Sequence, residues 1–125
     1  MAEYEITGFP IDLSADLDPI KPGAQWGFSW NHYDANEVLA NTTGWTVSCQ
    51  FREEPESDVT LASLTVGSGI TNDNGGTMTL TLTAAQTALF KTRQAYFDIY
   101  VTHDGITECP FQGEIEVLYR VTRSE

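Results

Sequence analysis

Residues Trp45 to Arg52, WTVSCQFR, alternate without a fault: Trp45, Val47, Cys49 and Phe51 fall on one side, Thr46, Ser48, Gln50 and Arg52 on the other. A period of two describes a strand with one face to bury and one to keep wet, and a helix cannot gather such residues onto one stripe. The same period recurs. Trp26, Phe28 and Trp30 stand at spacing two within Gln25 to Tyr33, opposite Gly27, Ser29 and Asn31. In Thr77 to Thr83, four threonines alternate with Met78, Leu80 and Leu82, and in Gln94 to Thr102 Phe97, Ile99 and Val101 oppose Tyr96, Asp98 and Tyr100. Val59 to Val66 alternates less regularly, through Val59, Leu61 and Leu64, and Ile106 to Gln112 and Gly113 to Val121 form the last strands, with Pro110 marking an edge or a bulge. Asn74-Gly75-Gly76 and Asp104-Gly105 are tight-turn signals, Asp34 to Asn36 supplies turn chemistry, and Val38-Leu39 is too short to assign. The sum is seven or eight short strands with no βαβ rhythm, which predicts an all-β, antiparallel β-sandwich. Its core takes the odd-numbered residues of Trp45 to Phe51 and the even-numbered ones of Met78 to Leu82, with the threonines outward.

One stretch leaves this rhythm. TMTLTLTAAQTALF, Thr77 to Phe90, turns from a strand into a run of good helix formers behind a threonine able to cap them, so a single helical turn is expected there. At the other extreme, Met1 to Gly23 holds Pro10, Pro19, Pro22, Gly8 and Gly23. Proline fixes φ and removes a donor, so this segment reads as an extended N-terminal arm with at most one edge strand. The expected organisation is an arm over 1–23 and one sandwich over 24–125, from which the arm through Lys21 is removable without loss of the fold.

The charge narrows the partners. Eighteen acidic against six basic residues give a formal net charge of −12, which repels phosphate backbones and anionic lipid, so neither nucleic acid nor membrane is expected as a partner. MAEYEITGFP shows neither the positive nor the apolar stretch of an export signal, and no window approaches the roughly 18 consecutive apolar residues of a membrane span. In a chain made in the cytosol, Cys49 and Cys109 are expected as free thiols.

The order of elements carries a resemblance. From Gly23 the chain reads G-x-Q-x-x-x-F, a D-A-N turn, L-A-N-T-T-G before WTVSCQFR, an acidic loop, SGIT, the N-G-G turn, TMTLTLTAAQTALF, AYFDIYVT-x-DG and GEIEVLYRVTR. This pattern resembles the small immunoglobulin-like β-sandwich virion proteins of tailed bacteriophages, and is similar to the N-terminal module of upper baseplate proteins. The resemblance covers about Gly23 to Arg123; the Pro-rich segment before it and Phe90 to Gln94 depart from it. It implies an immunoglobulin-like sandwich whose helical turn, Ala84 to Phe90, bridges the sheets. It also implies a virion protein made in the host cytoplasm and acting without catalysis or cofactor. Its partners would be other virion proteins, tail, baseplate or capsid subunits, and further copies of itself as a homo-oligomer within the particle. Tail or baseplate adaptor is the leading role; capsid decoration and a glycan-binding module for host recognition are the alternatives.

No motif assigns a catalytic, cofactor or metal residue. His32 with Asp34 and His103 with Asp104 are the pairs available for acid–base work, but neither comes with a nucleophile or oxyanion hole in sequence. Asp16-x-Asp18 and Asn72-Asp73-Asn74-Gly75 offer oxygens to a hard cation without the spacing of a calcium loop, so turn formation is the simpler role. Glu53, Glu54, Glu56 and Asp58 around Pro55 form a solvated loop or meet a basic partner. The Trp26-Phe28-Trp30 row belongs to the core; were it exposed, it would be a platform for sugar faces, while Tyr33, Tyr96, Tyr100 and Tyr119 are the surface aromatics.

Overall fold

The computed structural model describes residues 2–3, 11–14, 17–34 and 36–118, and within them the alternating segments become strands: β1 Ala2–Glu3, β2 Ile11–Asp12, β3 Trp26–Asn31, β4 Thr46–Arg52, β5 Ala62–Val66, β6 Gly69–Asn72, β7 Thr77–Leu82, β8 Gln94–His103 and β9 Ile106–Glu116. One helical turn, α1 Ala84–Thr87, separates β7 from β8. The fold is all-β. Hydrogen bonds link the strands in the order β1-β3-β7-β6-β5-β4-β8-β9-β2. That single ribbon curls until its halves face each other. Trp26 meets Phe51 of β4 with ring centroids 6.0 Å apart, Phe28 meets Phe97 of β8 at 6.3 Å and Trp30 meets Phe111 of β9 at 5.7 Å, although β3 shares no ladder with any of these strands. β3 therefore runs diagonally across the opposite layer, and the interleaved rings are the core of a sandwich.

Lettered in chain order with β1 as A and β2 set aside, one layer reads A-B-E-D (β1-β3-β7-β6) and the other C-F-G (β4-β8-β9), with β5 added beside C. This is the strand order of the immunoglobulin sandwich. The long ladders are antiparallel, but β1–β3, β2–β9 and β5–β6 are parallel, so the sheet is mixed. Val47, Cys49 and Phe51, and Met78, Leu80 and Leu82, all lie inside, while Thr77, Thr79 and Thr81 look outward. α1 carries the chain from one layer to the other. Thr83 caps it, its hydroxyl accepting from the Gln86 amide at 3.2 Å while the Gln86 side chain accepts from the Thr83 amide at 2.9 Å, a closed capping box. The buried Thr87 hydroxyl ties the turn to the chain entering β3, accepting from Gly23 N–H at 3.0 Å and donating to the Ala24 carbonyl at 2.9 Å. Phe90 then drops into the core edge-on to Phe51.

Four expectations are corrected. The N-terminal segment supplies two edge strands where at most one is expected, one at each margin of the ribbon, and it is packed: Leu13 and Ile20 are fully buried. Leu13 N–H donates to the Gln112 carbonyl at 2.9 Å, Ile20 N–H to Glu116 at 2.8 Å, and Leu118 N–H to Ile20 at 2.9 Å, so these residues line the margin of β9. Pro22 sits in a turn closed by Ala24 N–H on the Lys21 carbonyl at 3.0 Å, and the two aliphatic side chains anchor the segment. β5 starts only at Ala62 and buries Ala62 and Leu64, leaving Val59 66% exposed, because the bend after the acidic loop puts the inward register on even numbers. Trp45 precedes β4 and is partly buried at one end of the sandwich, not between the layers. The last two strands are one, β9: Pro110 sits in a bulge where Cys109 and Pro110 oppose Tyr100, so its missing N–H breaks no ladder bond. Pro10, Gly8, Asp16, Tyr119 and the strand end at Val121 lie outside the described residues.

Candidate functional site

The outward face of β4, β8 and β9 carries an open groove of about 410 Å³, walled by Asp12 and Ser14 on one side and Pro55 on the other. Cross-strand register builds its floor in two rows. Gln50, Asp98, Gln112 and Asp12 lie side by side in one, Arg52, Tyr96 and Glu114 in the next. Their spacing follows from the ladder, since residues directly opposite in a sheet stand about 5 Å apart on the same face. Arg52 is fixed, donating to the Ser57 carbonyl at 2.6 Å and to Gln50 Oε1 at 2.9 Å, which pins the acidic loop over the groove. Ser14 joins the N-terminal segment to the floor, its hydroxyl accepting from Glu114 N–H at 2.8 Å.

Carboxylates dominate the field here. Burial raises the Asp98 carboxyl above its ordinary range, with Arg52 opposing that shift. Partial burial raises the Tyr96 hydroxyl, reinforced by Glu114, Glu54 and Glu56, so the acidic loop and the groove act on the same ring. Asp12 is shifted down by hydrogen bonds from Ser14. Among the described residues no ion pair joins these carboxylates to a Lys or Arg. The groove can receive a cationic, hydrogen-bonding surface, and its shape is that of an open sheet face.

The histidines sit elsewhere. His32 is fully buried at the far end of β3, where its Nε2 accepts from Trp30 Nε1–H at 2.8 Å. Asp34 does not reach it, because Asp34 Oδ1 accepts from Asn36 and Val38 N–H at 2.8 and 3.2 Å and shapes its own turn. His103 Nδ1 and Asp104 Oδ2 lie 3.4 Å apart at the β8–β9 turn, with the aspartate in water. Both histidines contact Trp45, His32 edge-on and His103 stacked. No Ser or Cys is bonded to either histidine among the described residues. In the 72–75 turn the oxygens are already engaged: Asn72 Oδ1 accepts from Thr42 and the Asn74 amide, Asp73 Oδ1 from the Gly75 and Thr77 amides. Asn74 and Asp104 have φ of 66° and 52°, the left-handed conformation their turns demand. Cys49 and Cys109 are free thiols, both shifted up first by burial. The Trp26-Phe28-Trp30 row is turned inward, so it offers no platform to a sugar.

The groove residues Gln50, Arg52, Asp98, Gln112 and Glu114 are legible in sequence only as outward positions of separate strands. The polar alternation of each strand was the available signal, and register, which sequence does not state, makes them one surface.

No family model matches this chain, and no curated protein matches it. Among solved structures, the N-terminal domain of phage TP901-1 ORF48 aligns over 95% of this chain and 98% of that chain, with 14% identity and a TM-score of 0.38. At that score the likeness carries no argument about fold or role.

Proposed function

We propose that the chain is a non-enzymatic structural protein of a bacteriophage virion, an adaptor of the tail or baseplate that works through protein–protein contacts. The observation that carries the reading is the groove: an open, hydrogen-bonding sheet face whose lining holds three carboxylates, Asp12, Asp98 and Glu114, against one described cation, Arg52. Basic side chains of a neighbouring virion subunit complete it, and repetition around a symmetric particle multiplies a weak contact into a stable one. The order of turns and strands in the sequence supports the same assignment, as does a net charge that keeps the subunit off packaged nucleic acid. Sheet edges are the less suitable docking elements, because the edge strands β1 and β2 are two residues long and offer a partner only a short ladder. Capsid decoration uses the same kind of contact and is distinguished by location.

Mass spectrometry of purified particles, with tails and capsids separated, tests this. The chain is expected in the tail fraction at a fixed copy number, and the double charge reversal Asp98→Lys with Glu114→Lys is expected to fold and to lose incorporation. Detection in capsids alone turns the assignment to decoration; absence from particles, or full incorporation of the reversed variant, overturns it.

A further inference from the structure

His32 occupies a site that suits only its neutral form. Its ring is fully buried, and Trp30 Nε1–H donates to its Nε2 at 2.8 Å. An indole N–H can only donate, so Nε2 must keep its lone pair and the ring proton must sit on Nδ1. Nδ1 meets no hydrogen-bond partner. A second proton can go only to Nε2, where it would face the indole N–H as donor against donor. Protonation therefore breaks the one polar contact the ring has and charges it away from water.

What covers the ring is a short column of side chains. Trp45 packs edge-on to His32 with centroids 5.2 Å apart, and His103 stacks on Trp45 at 4.1 Å and 12°. Among the described residues the charged and titratable groups near this column are few, and β1 adds Glu3, in register with Asn31. From β8 the facing group is His103, whose charge further disfavours a cation at His32. From the β8–β9 turn Asp104 lies on His103, the 34–38 loop contributes Asp34 and the β6–β7 turn Asp73, and both of these are bound to the amides of their own turns. Among the described residues no carboxylate is bonded to His32 to compensate a charge on it. The cover is also lightly held, since Trp45 lies outside the ladder of β4 and follows Gly44 at φ +80°, and His103 ends β8 at a two-residue turn.

We infer that the Trp30–His32–Trp45–His103 column is an acid-released clasp: protonation of His32 ejects its ring from beneath Trp45 and opens this end of the sandwich while the two layers stay joined. Opening adds both indoles to a surface that already shows Val38, Leu39 and Ile106, so acid gives this end a larger apolar patch. The inference concerns the isolated subunit and is independent of the particle to which it belongs.

Acrylamide quenching of tryptophan fluorescence, followed with far-ultraviolet circular dichroism from neutral pH down to about pH 4, tests it. Quenching should rise several-fold as His32 titrates, before any loss of sheet signal, and His32→Gln, which keeps an acceptor for Trp30 and cannot titrate, should abolish that rise. His103→Gln should move the transition to higher pH, because it removes the opposing charge and loosens the cover. Where His32→Gln fails to fold, nitrogen-15 shifts of the wild-type ring decide: a protonated Nδ1 and bare Nε2 at neutral pH are expected. The opposite tautomer, quenching that rises only with loss of the sheet, or an unchanged transition in His32→Gln overturns the clasp.

Discussion

The two outer faces of the sandwich are built from the same alternation and end in opposite chemistry. On the β3-β7-β6 face the outward residues are Ser29, Thr71, Thr77, Thr79 and Thr81, with Asn31 buried beside them, none of them charged. They satisfy one another: Ser29 and Thr79 hydroxyls meet at 2.9 Å and Thr77 donates to Asn31 Oδ1 at 2.8 Å. On the β4-β8-β9 face the outward residues include Arg52, Asp98 and Glu114, and with Asp12 the groove's carboxylates outnumber its one described cation. Paired β-branched residues stabilise a sheet, whereas unpaired, partly desolvated charge costs stability and is retained where a partner supplies its counterpart. The first face reads as structure and the second as contact.

The largest test concerns what joins the layers. Removing residues 1–21 strips Leu13 and Ile20 from the core and bares the margin of β9. Losing two buried aliphatic side chains costs roughly 4 to 10 kcal/mol, comparable to a domain's whole stability, so the truncated chain should fail to show a cooperative melt. A melt like that of the full chain would show the segment to be an accessory after all.

Next in size is acid. Burial and then the His103 charge push His32 down to about 4, below its ordinary 6.5. The unfolded chain therefore binds a proton that the folded chain refuses between these values. The stabilisation is fully present above about pH 6.5, declines as the pH falls, and has lost at most roughly 3 kcal/mol by pH 4, less if the clasp opens first. Denaturant titrations across that range should show the decline, and His32→Gln should flatten it.

Two smaller changes set the faces against each other. Thr79→Ala removes one half of a hydroxyl pair and some β-propensity, and should cost about 1 kcal/mol. Asp98→Asn removes a carboxylate whose charged form burial disfavours, so it should leave stability at neutral pH unchanged or slightly raised while weakening assembly. Equal losses from both would erase the distinction between the faces.

The strands were legible because alternation and turn chemistry are local. Thr46–Arg52 and Thr77–Leu82, the Asp104-Gly105 turn and the capped turn after Thr83 all follow from near neighbours in the chain. The errors arose where distant residues decide. Pro-rich composition described the backbone of the N-terminal segment, but its place was set by pockets that accept Leu13 and Ile20. Trp45 continued the alternation of β4 by one residue, yet the ladder ends at Thr46 and the indole instead finds two histidines remote in sequence. The groove was hidden for the same reason, since four strands, β2, β4, β8 and β9, and the acidic loop meet there only through register.

Zero-length coupling of carboxylates to amines in intact particles, read by mass spectrometry, tests most directly whether the charged face is where this subunit meets its neighbours. The account predicts that Asp98 or Glu114 is joined to a lysine of another virion subunit. It is contradicted if both remain uncoupled while carboxylates elsewhere on the chain are joined to neighbours.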